Sequence, residues 1–499
     1  MSLPAWTTVA AATLAVVGRL PFLDRAPGPD ESGFLLVGGQ WNGAGSSLYG
    51  HYFVDRPPLL VSIFRLAATW GGITALRVIG CVAVLLIVVG CARAATLISG
   101  EQAGRWAALT AAALCLSPLL GGYDVNGEML AAPFVIGGVI AVVHAVRASA
   151  SAEAARWAAV AGVAGVSAIL VKQNFADVAV FGVVAFTLSA LHADISWRRF
   201  TTLGVAAVAG GASALATVAA WTVLHGTSLR GVFDAMYPFR VRAGEVIAAG
   251  GGGHASARLA GLAMVAVTSM IVPLMGLAAL DVVRRRHRDP MAWAVLALLL
   301  FATGSVLMGG SFWRHYLIQM IVPVSLVAGS LAADRRWLPR SVVALAVVSA
   351  VTVWAGSLAA PQGSDDHAAG SAVAGAARPA DTIVNLYGRA DVVEASGLSS
   401  PYEHLWSLPV KTLDPRLSEL DSVLVGPDAP TWLVTGPSVR SWGLTTQATT
   451  TIIRHDYRRV DTVCGRTIYL RDGVDRPTPH PVTDCRGTSL VTAMKRSAP

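Results

Sequence analysis

Long apolar stretches alternate with short polar breaks over the first 360 residues, and beyond that point the alternation stops. With about 17–25 residues per crossing, the pattern predicts about eleven membrane helices, near 4–23, 73–98, 104–120, 129–147, 156–172, 175–191, 201–224, 258–283, 291–310, 316–333 and 341–360. The first polar break is long, and within it 31–41 and 58–70 carry apolar residues at helical spacing, which predicts two short helices lying along the membrane surface. Pro57-Pro58 stiffens the backbone ahead of the second and so holds Asp55 and Arg56 in place. After residue 360 a linker, Pro361-Gln362-Gly363-Ser364-Asp365-Asp366, precedes a segment of ordinary soluble character. There 382–387, 431–435 and 467–470 read as strands and 416–424 as a helix, while the Pro-, Thr- and Ser-rich tail from about Asp475 reads as loosely ordered. The fold class expected is a polytopic α-helical membrane protein with a small C-terminal α/β domain, divided as 1–360 and 361–499.

Composition agrees: of 499 residues, 54% are hydrophobic and only 14% charged, far from the balance of a soluble protein this long. The first stretch has neither a basic segment before it nor a small-residue cleavage site after it, so a retained helix is expected rather than a signal peptide. The net charge of +8 matters through its placement. Trp197-Arg198-Arg199, Arg284-Arg285-Arg286-His287-Arg288 and Arg335-Arg336 all fall in loops on one side, which makes that side cytoplasmic by the positive-inside rule. The C-terminal domain then faces outward, and nucleic-acid binding is a poor reading of the charge. Cys81, Cys91 and Cys115 lie in apolar runs and read as small buried hydrophobes. Cys464 and Cys485 can pair as a disulfide on the outer side.

With this orientation the residues capable of chemistry share the outer face. Asp30-Glu31 follows the first helix; Tyr49 and Asp55-Arg56 follow in the same loop; Asp124 and Glu128 close the next outward loop. A solvated loop acid or a helix cap explains any one of these acids equally well. Lys172 interrupts two apolar runs, where a lysine either snorkels to the headgroups or meets an anion. The loop 225–257 carries Arg230, Arg240 and Arg242 against the usual depletion of outward cations, and its glycine run 250–253 suggests a mobile gate over an anionic lipid. Arg314, His315 and Tyr316 open a late helix, where the arginine fork suits phosphate oxygens and the aromatics suit the interfacial belt.

Taken together, Asp30-Glu31, Tyr49 and Arg56-Pro57-Pro58-Leu59-Leu60 resemble the first loop of the GT-C superfamily of membrane glycosyltransferases, especially aminoarabinose transferases and protein O-mannosyltransferases. The resemblance runs over roughly residues 1–330 and is clearest in 19–65. Tyr123-Asp124-Val125-Asn126-Gly127-Glu128 resembles the family's second outward loop, and Phe312-Trp313-Arg314-His315-Tyr316 its late arginine-tyrosine signature.

The resemblance implies inverting transfer of a sugar from a polyprenyl-phosphate donor to a cell-envelope glycan, lipid or protein. Such a reaction needs one base for the acceptor hydroxyl and cations for the departing phosphate. It implies Asp30 as base with Glu31 as support or substitute, and Arg56, Lys172, Arg240, Arg242 and above all Arg314 for the phosphate. Tyr49, Asp55, Asp124, Glu128, His315 and Tyr316 are then candidates for the sugar or acceptor, and Asp55 alternatively orients Arg56. A metal is not required, although Asp30, Glu31 or Glu128 offers oxygen ligands for a divalent cation. High Ala and Val usage fits an actinobacterial cell envelope, for which arabinofuranose or mannose is the expected sugar. In the C-terminal domain Tyr402, Trp406 and Trp432 suit a carbohydrate surface or, more simply, a core. The rival reading is a transporter or flippase of lipid-linked intermediates, which ordinarily shows mid-span charges and inverted halves. Neither is evident here, and eleven spans are too many for the anchor of a binding module.

Overall fold

The computed structural model describes residues 3–42, 45–250, 252–285, 288–334, 337–360, 363–436, 444, 446–480 and 485. The basic pairs Arg286-His287 and Arg335-Arg336, the linker residues Pro361-Gln362 and all of the tail after 480 except Cys485 lie outside them. Sixteen helices precede the linker: α1 Leu3–Val17, α2 Pro29–Gln40, α3 Pro58–Trp70, α4 Gly72–Ser99, α5 Glu101–Leu116, α6 Gly127–Arg147, α7 Ser151–Val171, α8 Asp177–Leu191, α9 Trp197–Leu224, α10 Leu229–Met236, α11 Pro238–Ala249, α12 Gly252–Thr268, α13 Ile271–Arg285, α14 Pro290–Met308, α15 Ile321–Ala333 and α16 Trp337–Leu358.

Every apolar stretch read from the sequence is helical. Among the described residues α4, α6, α7, α9, α14 and α16 are long and apolar enough to cross a membrane, the continuous segment Arg314–Ala333 that ends in α15 is a seventh, and α12 with α13 makes an eighth if the bent pair counts as one span. The chain is a multi-pass membrane protein. The stretches at 4–23, 104–120 and 175–191 form helices shorter than a full crossing. The single span expected over 258–283 is corrected to a pair bent by 68°. Pro273 supplies the reason, because it removes one backbone donor and its ring collides with the carbonyl four residues earlier, at Ser269. Met270 takes a left-handed φ of 60° at the break. Pro323 acts in the same way on the late helix, where Arg314–Met320 is wound as a tighter 3-10 segment before α15 begins.

Both helices expected in the first loop form, as α2 and α3. The loop expected over 225–257 is corrected to two short helices, α10 and α11, with α12 starting at Gly252 within the glycine run. Small-residue spacing explains why: Ser228 caps α10 by accepting from the Gly231 amide, and Pro238 starts α11.

After the linker come α17 Asp365–Ala376, β1 Ile383–Leu386, α18 Ala390–Ser396, α19 Ser407–Leu413, α20 Ser418–Val425, β2 Trp432–Thr435, α21 Gln447–Asp456, β3 Tyr457–Val463 and β4 Arg466–Arg471. The strands form one sheet in the order β1-β2-β4-β3, parallel between β1 and β2 and antiparallel elsewhere. β1 and β2 are buried along their whole length because helices cover both faces. Ile383, Trp432, Val434, Ile468 and Leu470 join the main core, whereas Val384, Leu386 and Leu433 pack with Tyr402, Leu420 and Leu424 in a second one. The hairpin β3–β4 turns on Cys464 and Gly465, both at positive φ, and Cys464 is bonded to Cys485.

The sheet domain docks on the first loop. The Phe53 amide donates to the Glu403 carbonyl (3.0 Å), the Ser400 amide donates to the Tyr52 hydroxyl (2.8 Å), and α18 packs on α2.

Candidate functional site

The chain between α1 and α2 is fixed by a residue that stands out only as a charge inside an apolar run. Arg77 of α4 is 2% exposed and donates to the carbonyls of Phe22, Leu23 and Arg25. Its other terminal nitrogen meets Glu31 Oε2 at 3.0 Å. Glu31 Oε1 accepts from the Val125 amide at 2.9 Å. Both Glu31 oxygens are therefore committed to holding α2 against α4 and the second outward loop. That leaves its neighbour free. Asp30 is half-buried, sits in the first turn of α2 where the helix dipole favours an anion, and accepts through Oδ1 from Trp406 Nε1 at 3.0 Å.

Trp406 reaches Asp30 from the C-terminal domain because α2 carries Gly33 at the crossing. A Cβ there would lie 2.2 Å from the indole, so only glycine admits the ring. Phe34 packs beside it, ring centres 5.3 Å apart. Tyr402 and Trp432, by contrast, are core residues, their polar atoms donating to Asp414 and Asp381.

The second half of the first loop supplies paired cations. Asp55 is 8% exposed and lies between two arginines, 2.7 Å from Arg56 Nη1 and 2.7 Å from Arg240 Nε of α11. Burial opposes the charge on Arg56, but Asp55 and Asp30 outweigh it and raise its pKa. Arg240 is lowered by burial and by Arg56, against the pull of Asp55. Two cations thus share one carboxylate within electrostatic reach of Asp30. Tyr49 is fully buried and donates to the Arg56 carbonyl at 2.8 Å, which makes it a support of this loop.

A second polar group adjoins the first. Lys172 is ion-paired with Glu128, His315 Nε2 lies 3.7 Å from the same carboxylate, and the Lys172 ammonium sits 4.8 Å from the Tyr316 ring centre. Arg56 and Tyr316 each lie within electrostatic reach of both Asp30 and Glu128, so the two groups line one site. Arg314 is placed beside Asp124 and Arg25 instead. Arg242 is exposed on the far side of α11, and Arg230 is exposed beside Asp234.

Asp30, Asp55, Arg56, Lys172, Arg240, Glu128, His315 and Tyr316 come together; Glu31 and Tyr49 stand behind them; Asp124 and Arg314 form a neighbouring pair. Among the described residues Asp30, Glu31 and Glu128 do not group as one set of metal ligands, since Arg77 and Lys172 occupy two of them.

Two participants and one buried polar pair were missed. Arg77 announced itself only as a charge within an apolar helix. Arg389, held by Asp366 (2.7 Å) and Asp391 (2.8 Å), lies within electrostatic reach of Asp30 with no local sequence signal. Asp177 and Gln319 are buried together (2.9 Å), Gln319 taking further hydrogen bonds from Asn174 and Ser305.

No protein-family model matches the chain, and no curated protein matches it in sequence. Solved structures do. The crystal structure of ArnT from Cupriavidus metallidurans bound to undecaprenyl phosphate aligns with a TM-score of 0.59 at 13% identity, covering 93% of this chain and 97% of that one. The archaeal oligosaccharyltransferase AglB from Archaeoglobus fulgidus, in complex with an inhibitory peptide and a dolichol-phosphate, aligns with a TM-score of 0.59 at 11% identity, over 95% of this chain and 75% of that one. The same oligosaccharyltransferase in complex with Zn and sulfate gives 0.58 at 13% identity, over 93% and 73%. At these identities the likeness is one of architecture, and the chain has the fold of the GT-C membrane glycosyltransferases.

Proposed function

We propose that this protein transfers a sugar from a polyprenyl-phosphate donor to an acceptor hydroxyl at the outer face of the membrane, with inversion at the anomeric carbon. The observation that carries this reading is Asp30: a carboxylate with one oxygen held by Trp406, within electrostatic reach of two arginines that share Asp55. In the reaction the acceptor oxygen attacks the anomeric carbon while its proton passes to Asp30 Oδ2, and the bond from that carbon to the phosphate oxygen breaks. Arg56, Arg240 and Lys172 take up the negative charge left on the lipid phosphate. A preorganised cation cluster suits this step because its geometry is already fixed by Asp55 and Glu128. The lipid phosphates named in the ArnT and AglB structures support the donor class. The sugar expected is arabinofuranose or mannose and the acceptor a cell-envelope glycan, lipid or protein. The Cys464–Cys485 bond supports an extracytoplasmic C-terminal domain, which with 1–360 as the catalytic unit completes the division read from the sequence.

The test is to incubate the purified protein with radiolabelled polyprenyl-phosphate mannose and polyprenyl-phosphate arabinofuranose in the presence of envelope acceptors. Label appearing in the acceptor fraction supports the reading. Label that crosses a vesicle bilayer without transfer would establish the flippase instead.

A further inference from the structure

Away from Asp30, Asp55 and Glu128, at the seam between the first loop and the sheet domain, His404 is buried among acids. Its imidazole is 4% exposed, yet neither ring nitrogen has a hydrogen-bond partner among the described residues. Glu403 Oε1 lies 3.7 Å from Nδ1 and Glu419 Oε2 lies 3.5 Å from Nε2, both too far for hydrogen bonds. An imidazole closed off from water with two unsatisfied nitrogens carries a desolvation cost that native proteins rarely leave uncompensated. The two glutamates add like charge to the same spot, their carboxylate oxygens 3.7 and 3.5 Å from the two ring nitrogens. One cation can take one of these nitrogens together with an oxygen of each carboxylate.

We propose that Glu403, His404 and Glu419 bind a divalent cation of the zinc class, which clamps the sheet domain onto the first loop. One donor atom from each residue lies within 4.8 Å of the other two. Zinc ligands sit at about 2.0–2.2 Å, so tetrahedral donors stand about 3.4 Å apart, and side-chain adjustment of about an ångström closes the set. One nitrogen and two carboxylates suit zinc better than the all-oxygen shell preferred by calcium. Water completes the shell from the side of Glu419, whose side chain is 47% exposed.

The surroundings hold each ligand in place, as a metal site requires. Glu403 keeps Oε1 toward His404 because its Oε2 accepts from Ser46 (3.2 Å) and its carbonyl from the Phe53 amide. Glu419 is fixed by the start of α20, where Asp414 accepts from the amides of Glu419 (3.2 Å) and Leu420 (3.0 Å). Asp414 in turn accepts from the Tyr402 hydroxyl, and the Tyr402 and Phe53 rings wall the imidazole edge-on. Trp406 stands two residues beyond His404 on the same strap. The ion would therefore steady the indole that holds Asp30 without being bound by Asp30 itself.

Tag-free full-length protein in detergent, stripped with a chelator and dialysed, is titrated with Zn²⁺, and the retained ion is counted by mass spectrometry after desalting. The expected result is one ion per chain, with at least tenfold weaker binding in His404→Ala and Glu419→Gln and unchanged binding in Asp30→Asn. Zn²⁺ is also expected to raise the unfolding temperature of the wild type and leave that of Glu419→Gln unmoved. Glu419 is exposed enough for its variant to fold, so a His404→Ala chain that misfolds does not decide the matter. A wild type retaining no ion, or a Glu419→Gln variant binding as the wild type does, overturns the site. An ion lost in Asp30→Asn and kept in Glu419→Gln overturns it too, by moving the ion to Asp30. Each result is independent of whether the protein transfers a sugar.

Discussion

Glu31 has no oxygen left for a substrate, because Arg77 and the Val125 amide take both, whereas Asp30 spends one on Trp406 and keeps the other. Two adjacent acids thus separate into a tether and a candidate base, and their variants should separate in the same way. Glu31→Ala leaves Arg77 buried without its anion, for which a loss of about 3–5 kcal/mol is expected in thermal unfolding of the detergent-solubilised protein. Asp30→Asn, half-exposed and able to keep the Trp406 contact, is expected to cost under about 1 kcal/mol in the same measurement. Asp55 makes a third case, since its substitution releases two arginines together. Asp55→Asn is expected to raise the KM for the lipid donor about tenfold with a smaller change in kcat, read from initial rates across donor concentrations. The sequence named Asp30, Arg56, Lys172 and Arg240 for the site because motif and one-sided topology do not depend on contacts. It ranked Arg314 highest and left Glu31 open, because which acid meets Arg77, and which cation lies near Asp124, is decided by packing between distant segments.

Helix α2 shows how an element makes the site possible. Pro29 starts it and Gly33 thins it one turn later, so that Trp406 lies across its N-terminal turn and against Asp30. Gly33→Ala is expected to push the indole away, costing about 1–3 kcal/mol by overpacking and lowering transfer as Asp30 loses its partner; loss of the Trp406 contact is checked by crosslinking paired cysteines at the α2–strap crossing. Helix α3 was legible in the sequence because apolar periodicity survives in a polar loop; α2, expected on the same ground, is instead buried over most of its length, packed on α3 and α18. α10 and α11 were not, since Arg230, Arg240 and Arg242 read as a solvated loop until Asp55 gave Arg240 a partner. The same holds for β3, whose Arg458, Arg459 and Asp461 mark an exposed edge strand rather than the alternating pattern of a covered one. The bend between α12 and α13 had a sequence signal in Pro273 that apolar content alone concealed.

At the scale of the whole molecule, the sheet domain and the helical body share a core: Ile383, Trp432 and Val434 are continuous with residues of α2 and α4. A single unfolding transition is therefore expected by calorimetry, and two well-separated transitions would speak against this common packing. The general architecture was legible because hydropathy dictates spans and because composition shifts at residue 360. The docking of the strap 400–406 on the first loop was not, since it rests on main-chain hydrogen bonds such as Phe53 to Glu403 that any sequence can make. That docking places a residue of the C-terminal domain on the candidate base, and the account turns on it: Asp30 removes the acceptor's proton while the Asp55-held arginines receive the phosphate. The most direct test measures polyprenyl-phosphate-sugar binding and single-turnover transfer for the wild type and Asp30→Asn side by side. The account predicts donor affinity within about twofold and transfer slowed by about 10²–10⁴. Transfer by Asp30→Asn within threefold of the wild-type rate at saturating donor would contradict it.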